Sequence, residues 1–239
     1  MSNAIAKALN RKWISTKEEL DKTLTYDFQG LLSQVIFITL VGITFSMAIG
    51  YTLYMTCSEL KGAIIGVIAL AIDLFILPKL ITDCYKQTLG RALFWYTVHT
   101  GLFGCGLACI FHKYTMDSVI TFFLMTVMIM VITGIVGFSI KKNLSYLGWA
   151  LVAAFGTLAI ASTVGLFFPY DSPFHFVLSV IAMPILVLGA VFDMNLIKEN
   201  CLTKGVTHPE AVVVIMALTL YTDFINIFLR LLRIGGKLK

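Results

Sequence analysis

The sequence predicts an all-α integral membrane protein: seven transmembrane helices, six of them wrapped around a central C-terminal helix. Three observations carry that prediction. Of the 239 residues, 59% are hydrophobic and only 13% are charged, whereas a soluble domain is roughly half apolar and about a quarter charged. The charges avoid long stretches of the chain and gather between them. The last apolar stretch alone carries a polar stripe along one side. Runs of about 18 or more apolar residues with few charges read as spanning helices. Only helices or closed barrels satisfy the backbone in hydrocarbon, and these runs show no strand alternation.

The elements follow in order. Met1 to Gln29 form a polar leader carrying Arg11, Lys12, Lys17, Glu18, Glu19, Asp21 and Lys22. It is too polar for a cleaved signal peptide and reads as a cytoplasmic amphipathic segment or a disordered leader. Residues 30–239 form one seven-helix transmembrane domain, because no polar segment approaches the ~40 residues a small independent core needs. The spans are expected at Leu31 to Met55, Gly62 to Leu80, Ala92 to Phe111 and Val119 to Ile140. Leu144 to Phe168, Phe174 to Ile197 and Ala211 to Leu232 complete the set. Pro169-Tyr170-Asp171-Ser172-Pro173 breaks the chain after the fifth. Each run is long enough to cross about 30 Å of hydrocarbon at 1.5 Å per residue.

The leader and the loops after even-numbered spans hold Lys7, Arg11, Lys12, Lys17, Lys22, Lys79, Lys86, Arg91, Lys141, Lys142, Lys198 and Lys204, twelve of the eighteen basic residues. The positive-inside rule then places the N-terminus in the cytoplasm. An odd number of crossings puts Arg230, Arg233, Lys237 and Lys239 outside, where they fit poorly, and a re-entrant final segment is the alternative. The net charge of +5 is membrane-protein bias with no basic stripe suited to nucleic acid. Cys57, Cys84, Cys105, Cys109 and Cys201 form no CxxC pair and no ligand set with His99, His112, His175 or His208; they read as ordinary packing residues. Gly101, Gly104 and Gly106 read as close helix packing.

Three carboxylates lie inside the spans: Asp73 in the second, Asp193 in the sixth and Asp223 in the seventh. An ionised Asp near a helix centre costs roughly 2.5–3.5 kcal/mol on insertion scales, so such residues face the bundle interior and mark ion or proton pathways. In the seventh span Thr219, Asn226 and Arg230 lie at i−4, i+3 and i+7 from Asp223, on one side of a helix. That stripe marks the seventh span as the central helix, and it lines a water-accessible path or bonds to neighbouring helices. Plainer readings stand beside these. Asp73 can be protonated and bonded to a nearby Ser or Thr, and Asn226 can be interhelical glue. His99 can be a packed histidine, and Arg230 can snorkel to the outer interface.

The run from Ala217 to Arg233, ALTLYTDFINIFLRLLR, resembles the C-terminal signature of the transmembrane Bax inhibitor motif family. Phe192-Asp193-Met194-Asn195 and Lys141-Lys142-Asn143-Leu144-Ser145 agree with it, and the resemblance covers nearly all of the chain after the leader. It implies a bacterial member of the family, with six helices around a central last helix. It also implies a pH-sensitive calcium leak governed by a pair of aspartates, which falls on Asp193 and Asp223. Asp73 sits where bacterial relatives can carry an acidic residue. A basic latch at the cytoplasmic end of the second span is the other family device. That stretch reads Ile81-Thr82-Asp83-Cys84-Tyr85-Lys86, with no arginine, and leaves Lys86 as the candidate latch.

The expected mechanism is short. Two carboxylates a few ångströms apart in a low dielectric cannot both ionise cheaply, so they share one proton and titrate as a unit. Loss of the proton leaves repulsion, relieved by separation, by a latch or by a divalent cation. Calcium prefers several oxygens, and Asp193, Asp223, the Asn226 amide oxygen, backbone carbonyls and water supply a weak site. Asp73 is a second stop on the ion pathway. Calcium is thus a transported ion, with no tightly bound cofactor expected; the partners are the lipid bilayer, calcium ions and protons, in a bacterial plasma membrane. Two rival classes remain: a non-conducting regulator of a membrane protease or other membrane partner, and a proton-coupled transporter. An enzyme is not expected, since the chain has no HExxH and no GxSxG.

Overall fold

A computed structural model describes residues 30–84, 89–141, 144–165, 167, 172–203 and 209–239. The polar leader, Lys86, Pro169 to Asp171 and His208 lie outside the described residues. Seven helices are long and apolar enough to cross a membrane. They are α1 (Gly30–Thr56), α2 (Glu59–Cys84), α3 (Leu89–Lys113), α4 (Met116–Ser139), α5 (Gly148–Gly165), α6 (Pro173–Thr203) and α7 (Pro209–Gly235). Their starts carry recognisable chemistry. Proline opens α6 and α7 at the position where a missing N–H costs nothing, and Glu59 and Asp117 sit in the first turns of α2 and α4, where the helix dipole favours an acid.

Most helices run a few residues beyond the spans read from the sequence, and α5 is the exception. α2 begins before Gly62, and α6 runs on past Ile197 to Thr203, because backbone hydrogen bonding continues after the apolar composition ends. α5 is shorter than predicted: a 3-10 turn, Ser145–Leu147, closed by Leu147 N–H on the Leu144 carbonyl at 2.8 Å, takes its first residues. α7 is one unbroken helix of 27 residues, about 40 Å long, without the chain reversal a re-entrant segment requires.

α7 is the centre of the bundle. Of its span, 67% is buried within the protein, while no other span exceeds 39%. Three apolar clusters meet on it. Leu218, Tyr221, Phe224 and Phe228 pack with residues of α1, α3 and α4. Ala217 and Leu220 pack against Val35 of α1 and Met194 of α6, and Ile227 packs with Leu158, Ala182 and Leu186 of α5 and α6. Lipid is as apolar as these side chains, so close van der Waals packing and interhelical hydrogen bonds hold the helices together.

Small residues set the closest approaches. A Cβ built on Gly104 of α3 would lie 2.7 Å from the Ser46 carbonyl oxygen of α1, and backbone cannot step aside. Gly104→Ala is therefore expected to destabilise by about 1–3 kcal/mol. Gly156→Ala on α5, where nothing lies within 4 Å, gains the helix propensity of alanine, about 0.5–1 kcal/mol. Thermal unfolding of both variants in detergent checks the contrast, which fails if the two melt alike.

The basic residues near the C-terminus have structural work to do. The Arg230 Nη2 donates to Ser162 Oγ of α5 at 2.8 Å, and Arg233 meets His175 Nδ1 at 3.1 Å. Lys239 Nζ donates to Tyr54 Oη and to the Phe111 carbonyl, and its backbone N–H bonds to Lys113. Charges tied into the bundle follow their partners, which accounts for Arg230, Arg233 and Lys239 in the loop-charge count; Lys237 is held through its backbone N–H, which donates to Ser118 Oγ.

Candidate functional site

Asp193 projects from α6 on the side that carries Leu186, Ala190 and Ile197, residues spaced so as to share a helix face and packed towards α7. Asp223 projects from the middle of α7 on the side of Leu220 and Ile227. Ala190, with almost no side chain and no exposure, lets the two helices approach. The carboxyl groups of Asp193 and Asp223 lie close enough across the α6–α7 contact to interact directly. Ionised carboxylates only accept hydrogen bonds, so a hydrogen bond between the two requires a proton on one of them. Asp223 is buried and Asp193 half-buried.

Asp223 Oδ2 is buried with no hydrogen-bond partner among the described residues, a state that a proton shared with Asp193 or a cation would relieve. Among the described residues no cluster of three or more His, Cys, Asp or Glu side chains could hold a metal. A cation at the pair thus has two carboxyl groups as its acidic ligands, too few for the six to eight oxygens calcium takes in a tight site.

Asn226 stands next to this pair but outside its burial. With Thr222 it is exposed, and Thr219 and Arg230 are half-exposed. Asp223, turned into α6, flanks this stripe. Tyr221, on the far side of α7, is buried against α1 and α3 through Ser46, Tyr96 and His99. The sequence reading had put Asp223, Asn226, Thr219 and Arg230 on one common face. The structure divides them: only about 60° of azimuth separates Asp223 from Asn226, yet Asp223 is buried towards α6 and Asn226 is exposed. Thr219 and Thr222 spend their hydroxyls on the carbonyls of Ile215 and Leu218. Arg230 does not simply snorkel to the interface: Ser162 holds it.

Asp73 has a partner that the sequence reading did not assign. Its Oδ1 lies 2.8 Å from His99 Nδ1, with the two side chains 9% and 5% exposed. The partner is thus neither Ser nor Thr. His99 is more than a space-filling histidine, and it faces Tyr221 edge-on at 5.8 Å. Tyr221 in turn bonds Ser46 Oγ at 2.7 Å. Asp73 and His99 therefore lie on the opposite side of α7 from Asp223, and the structure does not bring Asp73 to the aspartate pair. The available signal was modest: a carboxylate in one span and an imidazole near the middle of the next. Cys105 and Cys109 line the α2–α3 contact, where Cys109 Sγ is 3.9 Å from the Gly62 carbonyl oxygen.

The chain matches a family model described as "Inhibitor of apoptosis-promoting Bax1" over residues 28–239. The chain belongs to that family. Two of the relatives it resembles are named as membrane proteins. An uncharacterised membrane protein of Streptococcus pyogenes serotype M1 is 30% identical over 167 residues, covering 70% of this chain and 72% of its own. The inner membrane protein YbhL of Escherichia coli K12 is 29% identical over 194 residues, 80% of each chain. A protein of Rickettsia prowazekii is 32% identical over 147 residues, 61% of each. The chain is an integral membrane protein, with a homologue in a bacterial inner membrane. The two family segments that carry aspartates are those that meet at the α6–α7 contact. Lys86, the latch candidate, lies outside the described residues.

Proposed function

We propose that this Bax inhibitor-1-like protein is a pH-sensitive calcium leak channel of a bacterial plasma membrane, gated by the aspartate pair between α6 and α7, with its N-terminus in the cytoplasm. The observation that carries the reading is the close approach of the Asp193 and Asp223 carboxyl groups between α6 and α7, with Asp223 Oδ2 buried and unpartnered. With the shared proton in place, the carboxyl groups tie α6 to α7. When the proton leaves, two negative charges in a low dielectric repel, and a calcium ion relieves the repulsion by taking the proton's place.

The site binds calcium weakly, and weakness suits conduction because an ion must leave as well as enter. Thr222 and Asn226 line the open side of α7 and supply the oxygen atoms met on either side of the pair. Asp73, paired with His99, serves the far flank, and Lys86 is the candidate latch. The reading uses no nucleophile, no catalytic acid and no resident cofactor, so the protein is not an enzyme; calcium is its cargo.

The test is calcium flux into liposomes holding the purified protein. Flux above that of protein-free vesicles, and different in acidic and alkaline buffer, is expected. Flux equal to that of empty vesicles in both buffers overturns the proposal and leaves the non-conducting regulator of a membrane partner.

A further inference from the structure

Gly236 to Lys239 fold back on the bundle. Gly236 closes α7 by donating its N–H to the Leu232 carbonyl at 2.7 Å. A Cβ built there would overlap that carbonyl oxygen and lie 2.8 Å from the Tyr114 ring, so glycine lets the chain pass close to Tyr114. Beyond it, Leu238 pairs with Tyr114 as an antiparallel β-bridge. The Thr115 N–H donates to the Lys237 carbonyl and the Lys239 N–H to the Lys113 carbonyl, each at 3.0 Å. The Lys237 N–H donates to Ser118 Oγ at 3.0 Å. All of these partners lie in the connection between α3 and α4 or in the turn on either side of it.

The Lys239 side chain crosses from there to α1. Its ammonium donates to the Phe111 carbonyl at 2.7 Å and to Tyr54 Oη at 3.0 Å. It also sits 4.3 Å from the centre of the Tyr54 ring, whose face attracts a cation. Phe111 is in the last turn of α3, where carbonyls lack helical donors and the dipole favours positive charge.

Tyr54 is the third rung of a polar ladder. Thr39 Oγ1 donates to the Ala217 carbonyl at 3.2 Å. Ser46 Oγ lies 2.7 Å from Tyr221 Oη and 2.9 Å from the Thr100 carbonyl oxygen. Thr39, Ser46 and Tyr54 recur about two turns apart on one side of α1, and their partners on α7 and its extension rise in the same order. Such directional bonds give a preferred level to packing that is otherwise apolar. The opposite side of α7 is tied separately, by Arg230 to Ser162 of α5 and by Arg233 to His175 of α6.

We infer that Gly236 to Lys239 form a strap that locks the C-terminal end of the central helix to α1, α3 and α4, with the Lys239 side chain as its bolt. The backbone pairing is one bridge with two hydrogen bonds, and so short a pairing is marginal in water on its own. The ammonium completes it by joining α3 and α1 from the far side. While the strap is closed, this end of α7 moves together with α1, α3 and α4. When the bolt is removed the strap opens, and the deeper rungs at Thr39 and Ser46 stay in place. Neither the aspartate pair nor ion conduction enters this lock.

Amide hydrogen exchange of the full chain in lipid nanodiscs, read residue by residue by NMR, tests the lock. The Thr115 and Lys239 amides are expected to exchange at least about tenfold more slowly than Leu238, whose N–H points out of the bridge. In Lys239→Met the Thr115 amide speeds up about tenfold, for the loss of one charged hydrogen-bonding group. Lys239→Arg, which keeps a cation for the ring and the carbonyl, retains the protection. Spin labels carried by encoded unnatural residues then locate the opening. Met128 on α4 and Leu238 are 64% and 46% exposed, and Thr222 on α7 is exposed. In Lys239→Met the 128–238 distance distribution broadens while 128–222 holds. Thr115 and Lys239 amides that exchange as fast as Leu238 in the unaltered protein overturn the inference, and that arm needs no variant to fold. So does a Lys239→Met protein with parental exchange at Thr115, or one whose 128–222 distribution broadens as much as 128–238.

Discussion

Asp223→Asn is expected to remove the pH dependence of calcium flux, and Asp193→Asn to do the same. The amide keeps the size and most of the hydrogen bonding of the carboxyl group, but it carries no titratable proton. In the unaltered protein the shared proton and calcium compete for the same oxygens. Metal binding to a protonated site releases the proton, so apparent calcium affinity falls by up to about tenfold for each unit by which pH drops once the pair holds its proton. Either amide removes the exchange and flattens the slope. It also weakens calcium binding by about tenfold or more, since one of two charges is gone. Calcium titrations of flux in acidic and alkaline buffer read both effects. A variant that keeps the parental slope shows that the proton is held elsewhere.

The second large effect is on stability. Asp73→Leu leaves the His99 imidazole in an apolar setting without its carboxylate, and His99→Leu strands Asp73 in turn. Breaking one side of a buried pair costs about 3–5 kcal/mol, while replacing both sides by apolar residues is often neutral. The double variant Asp73→Leu/His99→Leu should therefore unfold at a higher denaturant concentration than either single variant. The coupling in that cycle measures the interaction. Losses that simply add would show that the 2.8 Å contact contributes no stability of its own.

The fold was legible in the sequence because a bilayer imposes a coarse rule. Apolar runs must exceed a fixed length, and Gly62 to Leu80 or Ala211 to Leu232 can hardly be read otherwise. The central place of α7 was legible too, through Thr219, Asp223, Asn226 and Arg230, since only a helix with polar neighbours keeps such residues. What escaped was azimuth. Periodicity placed Asp223 and Asn226 within one turn but did not reveal that α6 covers one and leaves the other open.

Partners between distant helices escaped for a related reason. Nothing local to Asp73 points to His99, 26 residues on, because the match depends on how α2 leans on α3. Lys198 was counted among the loop charges and Asn195 only as part of the family segment; both donate to backbone carbonyls at the end of α4, which carry no sequence signature. Glycine was the better guide: Gly104 was legible as a contact point and proved to be one.

The claim beneath the channel reading is that Asp193 and Asp223 together hold one proton that calcium displaces. Infrared difference spectroscopy of the protein in lipid, on adding calcium at constant pH, reads this directly. The account predicts loss of one protonated-carboxyl band as calcium binds, with release of a proton to the buffer, and absence of that signal in Asp223→Asn. A spectrum in which calcium leaves the protonated-carboxyl region unchanged, or in which Asp223→Asn retains the signal, would contradict it.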